Sequence, residues 1–516
     1  MSEAPSSTKK ELGNPLMTVP TYQEGVAAEV QIGYDAQLRP NRSLLAVVGM
    51  ALAIAAIPYG MGGPLMSAIY GGGQLSLFLG LIVVLILDGC VAISLAELSS
   101  RFPSSSGLYY WTHQLVESDT WKNFLSFTTG WCWFIGNWTI ALSVNFGFAS
   151  LIAGTIAIYH PEWEAEDWQL LLVFFALCIT VFLICSFGDS LLPFVDMFAA
   201  VWNVITIIAI IIALAATAKE GRHSAGVALG NYEYSLSGWE KGFTFFIGLL
   251  PPSYSFSAIG LITSMTEECF DPTLEMPRAL SLTIPFGGIA ALAFVLPLCF
   301  TLPPLEDILE APYGQALPFI LHRVMGTQVG SLIIMIMVLI VTLFCSVSIT
   351  TAASRCTWAF SRDKALPFSR FWEKTPFQQP LYSLVLVTVV EMLLGIIVLG
   401  SSSAFTAFVS VGVIALSLAY LIPIAISLFG KRKMVSQAKW TVGKVLGFGA
   451  NSVAVVWITF KLVLFSMPQT IPVDEISMNY ASVVLVGLLT LAVGFYVFSG
   501  RKSYKGPPAE VVTVAM

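Results

Sequence analysis

The residues best placed to do chemistry in this chain lie at two interruptions of otherwise apolar helical patterns. From Gly242 the sequence runs apolar, meets Pro251, Pro252, Ser253, Tyr254 and Ser255 about midway, resumes from Phe256 to Met265 and ends in Glu267 and Glu268. Paired prolines remove two backbone donors and bias the preceding residue away from helix. Lipid cannot satisfy the freed carbonyls, so such a break faces protein, a cavity or a ligand. A broken helix at mid-membrane is the usual substrate site of a secondary transporter, and a plain proline kink is the competing reading. Met50–Ser67 repeats the theme, with Pro58, Gly60, Gly62, Gly63 and Pro64 near its middle. A half-helix N-terminus offers amide donors to a carboxylate, and a half-helix C-terminus offers carbonyls to a cation. The backbone of Ala55, Ala56, Ile57, Pro58 and Tyr59, with that of Pro251 to Ser255, is therefore expected to hold the charged groups of an amino-acid-like substrate.

Side chains add candidates. Trp131, Trp133, Asn137 and Trp138 fall in one apolar run, and Tyr254, Phe256 and Phe344 in others. Aromatic faces attract ammonium groups once water is excluded, although aromatics in such runs also simply pack. Trp131 and Trp133 are two residues apart and point to nearly opposite helix faces. Asn137, Trp138 and Phe344 are retained as possible substrate contacts. Ionisable residues inside apolar runs are functional candidates by default, and here they include Asp88, Glu391 and Lys461. Asp88 is a candidate for proton coupling, or else hydrogen-bonds to neighbouring Ser and Thr. Glu391 invites the same two readings. Lys461 sits near the end of its run, where it is expected to snorkel. Glu267 and Glu268 are placed to pair with Arg355 or Arg362 as an inner gate.

The elements that carry these residues follow from composition. The 516 residues are 56% hydrophobic and 11% charged, against about 25% charged in soluble domains. This is an all-α polytopic membrane protein, with the lipid bilayer as its partner. Twelve spans are expected, at roughly 44–68, 74–98, 123–150, 169–187, 192–217, 242–266, 279–301, 329–354, 382–400, 404–429, 445–466 and 480–499. With both termini in the cytosol, twenty of the 25 Lys and Arg fall on the cytosolic side and four outside, as the positive-inside rule requires. Interruptions in spans 1 and 6, five spans apart, suggest two inverted halves, 43–217 and 218–430, with 431–500 an addition. Residues 1–42 read as a disordered cytosolic tail and 501–516 as a second tail. Tyr109, Tyr110 and Trp111 suit the membrane interface, and the periodicity after span 8 suggests a helix continuing to Pro367. The eight cysteines lie mostly in apolar runs and read as packing groups.

Enzyme signatures are missing: there is no GxxxxGK[ST], no HExxH and no Cys/His spacing suited to a metal, so no catalytic residue, metal or cofactor is expected. A pI of 5.4 gives no hint of nucleic-acid binding. An ion gradient would supply the energy. Protons are preferred, and sodium remains open because Ser346, Ser348, Thr350 and Thr351 offer hydroxyls.

The segments ELSSRFPSSSGLYYW, TTGWCWFIGNW, GLLPPSYSFSAIGLITSMTEECFDPTLEMPRAL and SRCTWAFSRDKALPFS resemble signatures of the amino acid–polyamine–organocation superfamily. Within it they are most similar to the fungal amino acid/choline transporter branch. The resemblance runs from about Ser43 to Phe498. It implies a twelve-helix, five-plus-five inverted-repeat permease with interrupted helices 1 and 6. It also implies plasma-membrane uptake of a small amine or amino acid such as GABA, often proton-driven. One departure stands out: many relatives carry an Asp and then a His in the second half of helix 6, where this chain has Gly260 and Ser264. An exporter of a small amine or alkaloid and a non-transporting nutrient sensor are the alternatives.

Overall fold

The computed structural model describes residue 38 and residues 40–508 apart from 161, 164, 219–220, 401 and 475–476. Most of the expected N-terminal tail and the end of the C-terminal one lie outside the described residues. Among the described residues the chain is almost entirely helical, with no β-strand.

Among the described residues, twelve helices are long and apolar enough to cross a membrane. They are Leu44–Gly62, Gln74–Arg101, Asp119–Tyr159, Asp167–Phe187, Leu192–Thr217, Lys241–Glu268, Pro272–Thr301, Gln328–Arg362, Leu381–Leu399, Ser410–Phe429, Lys444–Leu464 and Ala481–Ser503, called spans 1 to 12 below. Each overlaps one expected span. Span 3 is longer than expected, at 41 residues, or about 60 Å at 1.5 Å per residue.

Spans 1, 3 and 6 are the most enclosed, with 83%, 78% and 78% of their apolar windows buried, whereas span 12 is 17% buried. The helices that carry the breaks therefore sit at the centre. Span 2 packs along span 7, span 1 against spans 5 and 7, and span 3 against spans 8 and 10. Spans 4 and 5 turn Leu172, Ile179, Leu183, Val201, Ile208 and Ile212 outward. A hydrocarbon solvent covers such a face at no cost, so these residues need no protein partner.

Span 1 begins at Ser43, whose hydroxyl accepts from Ala46 N–H. Its first helix stops at Ala55, because Ala56 is left-handed at φ 38° and ψ 54°, and a second helix covers Ile57–Gly62. A left-handed alanine costs about 1–2 kcal/mol, so the surrounding packing holds this break in place.

Span 6 differs from expectation. Pro251 and Pro252 do not unwind it; they lie in the first turn of a helix, Leu250–Ser257. Proline is tolerated there because the first-turn N–H groups have no intrahelical partner to lose. The breaks flank this helix: Lys241–Ile247 ends at Gly248, and beyond Ala258 the chain tightens to a 3-10 helix, Ile259–Glu268.

Two loop expectations are also corrected. Tyr109, Tyr110 and Trp111 are buried in protein instead of lying at a membrane interface. Trp111 Nε1 donates to the Phe102 carbonyl and Tyr109 Oη to Asp363 Oδ2. Span 8 stops at Arg362, short of Pro367, with Lys364 already at φ 60°. The described part of the C-terminal tail is docked: Tyr504 is buried and its hydroxyl lies 2.7 Å from Ser126 Oγ. All eight cysteines are free.

Candidate functional site

A cavity of about 340 Å³ lies between spans 1, 3, 6, 10 and 11. Its lining includes Tyr59, Ser143, Phe146, Tyr254, Gln315 and Phe465. Span 3 contributes Ser143, Phe146, Gly147 and Ser150, the i, i+3, i+4, i+7 stripe of one helix face. The cavity opens toward the end of the bundle that carries Met467, Gln469 and Asn479, between spans 11 and 12.

The two tyrosines form its inner boundary. Tyr59 Oη donates to the Val144 carbonyl at 3.3 Å, and Tyr254 Oη lies 2.9 Å from Ser143 Oγ. Both also line a gap of only about 10 Å³ with Ala55, Ser255, Ala258 and Cys345, room for about one water. Glycine makes this closeness possible: a Cβ on Gly60 would strike Ser255 Oγ and Ala55 O, and one on Gly147 would strike Tyr59 Oη. Among the described residues, Ser253 Oγ and Ser255 Oγ are buried without a hydrogen-bond partner. Unsatisfied buried hydroxyls beside two helix breaks are groups that a polar ligand could satisfy.

The expected backbone contacts divide accordingly. Ala55, Tyr59, Tyr254 and Ser255 meet at the cavities, with Ala56, Ile57 and Pro58 buried at the break itself. Pro251 and Pro252 have no N–H, and Ser253 N–H is taken by the Leu249 carbonyl. The N-terminus of that helix is therefore a poor carboxylate cradle, contrary to expectation. Asn137, Trp138 and Phe344 line neither cavity. Asn137, six residues before Ser143, donates its Nδ2 to the Trp133 carbonyl. Trp138 Nε1 donates to Thr357 Oγ1 and packs on Phe134. Phe344 packs on Phe198 of span 5; its neighbour Cys345, about 100° round the helix, faces the smaller gap.

At the opposite end a buried ionic network joins the chain ahead of span 1 to spans 5, 6 and 8. Arg42 Nη1 is 2.7 Å from Asp196 Oδ2 and Arg42 Nε is 2.9 Å from Glu268 Oε2. Glu268 Oε1 accepts from Arg355 Nε at 2.9 Å, and Asp196 Oδ1 from Ser348 Oγ at 2.7 Å. Arg362 grips both oxygens of Glu267 at 2.9 Å. Each carboxylate thus has a bidentate or doubled donor set, which buried charge requires. The pairing of Glu267 and Glu268 with Arg355 and Arg362 was expected; Arg42 and Asp196 were not. Asp196 was visible as an acid inside an apolar run, and an arginine next to an N-cap could have suggested a partner.

Asp88 and Lys461 were read separately and belong together. Lys461 does not snorkel: it is 4% exposed, with Nζ 3.0 Å from Asp88 Oδ1. Trp457 Nε1 donates to the same oxygen at 2.8 Å. These partners, and not neighbouring Ser or Thr, hold Asp88 Oδ1, because span 11 packs along span 2, while Oδ2 is buried without a hydrogen-bond partner among the described residues. Ser94–Asn451 and Glu97–Arg432 continue the seam. Glu391 contacts Asn145 Nδ2 at 2.7 Å and Cys178 Sγ. Of the span 8 hydroxyls, Ser348 serves Asp196 and Thr351 lies beside Cys185 Sγ. Those of Ser346 and Thr350 are buried and unpartnered among the described residues. No group of three or more His, Cys, Asp or Glu suited to a metal occurs among the described residues.

Sequence comparison fits this geometry. Residues 43–489 match the family described as amino acid permease. A choline transporter of Saccharomyces cerevisiae is 26% identical over 91% of this chain and 83% of its own. An amino-acid permease of Arabidopsis thaliana is 26% identical over 97% and 100%. A polyamine transporter of Saccharomyces cerevisiae is 27% identical over 95% and 80%.

Proposed function

Because the chain belongs to the amino acid permease family, a group of secondary transporters of amino acids or amines, we propose that it moves its substrate by alternating access through the Tyr59–Tyr254 site. The substrate is an amino acid, GABA or a related small amine, bound where spans 1 and 6 break. Spans 1–5 and 6–10 act as inverted halves, with spans 11 and 12 appended. Both termini face the cytosol of a plasma-membrane protein, and protons supply the drive.

One observation carries this reading. The site has a cavity on one side, while the other side is closed by the tyrosines and by the Arg42, Glu268 and Arg355 network. A pathway open at one end and sealed at the other is one of the two states that alternating access requires; a channel needs both ends open together. The positive-inside count puts the sealed end in the cytosol, so the conformation described faces outward. The family resemblance, with its proton-driven members, supports the coupling.

The test is radiolabel uptake by cells deprived of their own permeases, at acid and neutral external pH, with and without a protonophore. Saturable uptake that the protonophore abolishes is the expected result. Absence of uptake by protein present at the cell surface would point to export, which efflux from preloaded cells would then reveal.

A further inference from the structure

The ionised side chains that the spans bury find their partners outside the cavities. Asp88 meets Lys461, Glu97 meets Arg432, Asp196 and Glu268 share Arg42, and Glu267 meets Arg362. Glu391 is held between spans 3, 4 and 9 by Asn145 and Cys178. The described residues that line the cavity and the gap below it include no Asp, Glu, Lys, Arg or His. Among the described residues, the substrate site is lined by neutral side chains.

The break in span 6 is the other place where a cation could find bare carbonyl oxygen, and it is closed. Tyr420 of span 10 donates its hydroxyl to the Ser257 carbonyl at 2.9 Å and accepts from Gly260 N–H at 3.2 Å. Its ring fills the volume a side chain at position 260 would need: a Cβ there would lie 2.5 Å from Tyr420 Cε1. A neutral phenol therefore satisfies both the free acceptor and the free donor of the break.

We infer that this permease is built for substrates of zero net charge, zwitterionic amino acids above all, and discriminates against organic cations and polyamines. The inference rests on the transporter reading and deepens it. A ligand with net positive charge would leave bulk water for a site whose described lining offers no counter-charge, which is expensive. A zwitterion carries both signs a few ångströms apart, and local dipoles suffice for it: the hydroxyls of Tyr59, Tyr254 and Ser255, which line the gap. Tyr420 is a positioning residue, keeping the Ser257 carbonyl from acting as a cation ligand.

The experiment uses the purified full chain in proteoliposomes under an imposed proton gradient and membrane potential. Radiolabelled proline, alanine, 4-aminobutyrate, choline and spermidine are offered in turn. Saturable uptake of at least one of the first three, with choline and spermidine below a tenth of that rate, is the expected result. Choline or spermidine moving as fast as the best zwitterion overturns the inference and leaves the carrier reading standing. No flux of any of the five, inward or outward, overturns the carrier reading and this inference with it. Tyr420→Phe removes the hydroxyl that covers Ser257, so the choline-to-zwitterion ratio should rise at least fivefold. Gly260→Ala, which displaces the same ring, provides the same readout if Tyr420→Phe does not fold. An unchanged ratio in a folded variant removes Tyr420 from the inference.

Discussion

Arg42 holds Glu268 twice. Its Nε lies 2.9 Å from Glu268 Oε2, and its backbone N–H donates to the Glu268 carbonyl at 2.9 Å. The chain entering span 1 is thereby stapled to the end of span 6, the two helices whose breaks meet at the cavity. A movement of either half-helix must break or carry this staple.

Arg42→Ala is expected to loosen the seal. Glu268 keeps Arg355 but Asp196 keeps only Ser348, so a stability loss of about 3–5 kcal/mol is expected alongside, and the labelling is read below the variant's own unfolding temperature. Cys269, 1% exposed beside Glu268, reports the change: its labelling by a membrane-permeant maleimide, read by peptide mass spectrometry, should accelerate several-fold. An unchanged rate would mean that the staple does not close this end.

Tyr254→Phe deletes one hydroxyl, which lies 2.9 Å from Ser143 Oγ. A single hydrogen bond contributes about 1 kcal/mol, so KM for uptake should rise about fivefold with surface expression intact. Tyr254→Ala opens the cavity floor and should abolish uptake. Wild-type kinetics in both variants would place the substrate elsewhere.

Gly147→Ala puts a methyl group against Tyr59 Oη. Tyr59 must then leave the Val144 carbonyl. Maximal uptake is expected to fall at least tenfold, while thermal stability in detergent changes by no more than about 1–3 kcal/mol, the usual range for overpacking.

Asp88→Asn leaves Lys461 buried and unpaired, a loss of about 3–5 kcal/mol. Thermal unfolding in detergent should show a clear fall for Asp88→Asn and for Lys461→Met, and substantial recovery in the double variant. Additive losses would mean that the pair is not coupled.

His113, outside the spans, gives a pH prediction. Burial, and then the nearby Lys122, push it down to about 4, although Asn123 hydrogen-bonds it. Between about 6.5 and 4 the unfolded chain takes up a proton that the folded one refuses, so stability falls as pH falls through that window. The His113 ring also abuts Gly506 of the docked C-terminal segment. His113→Gln should flatten the dependence of the unfolding temperature between pH 7 and pH 5.

By itself the sequence determined the placement of the spans and which two of them break, but not where span 6 breaks or where span 8 ends. Runs of apolar residues long enough to span a bilayer, interrupted at Pro58 and at Pro251–Pro252, locate twelve spans and the two helices that break. The glutamate pair at 267–268 called for arginines, because carboxylates at a helix end close to lipid need them. Only the tertiary structure decided which long-range partners meet. Whether a lysine snorkels or pairs depends on which helix lies across from it, and span 11 lies across from Asp88. The face of span 3 that lines the cavity is set by its packing on spans 8 and 10, which turns Ser143 inward and takes Trp138 to Thr357. The Arg42–Asp196 contact joins residues 154 apart, and Tyr420 reaches Gly260 across 160. No periodicity of 3.6 residues carries information over such distances; close packing of the folded bundle decides them.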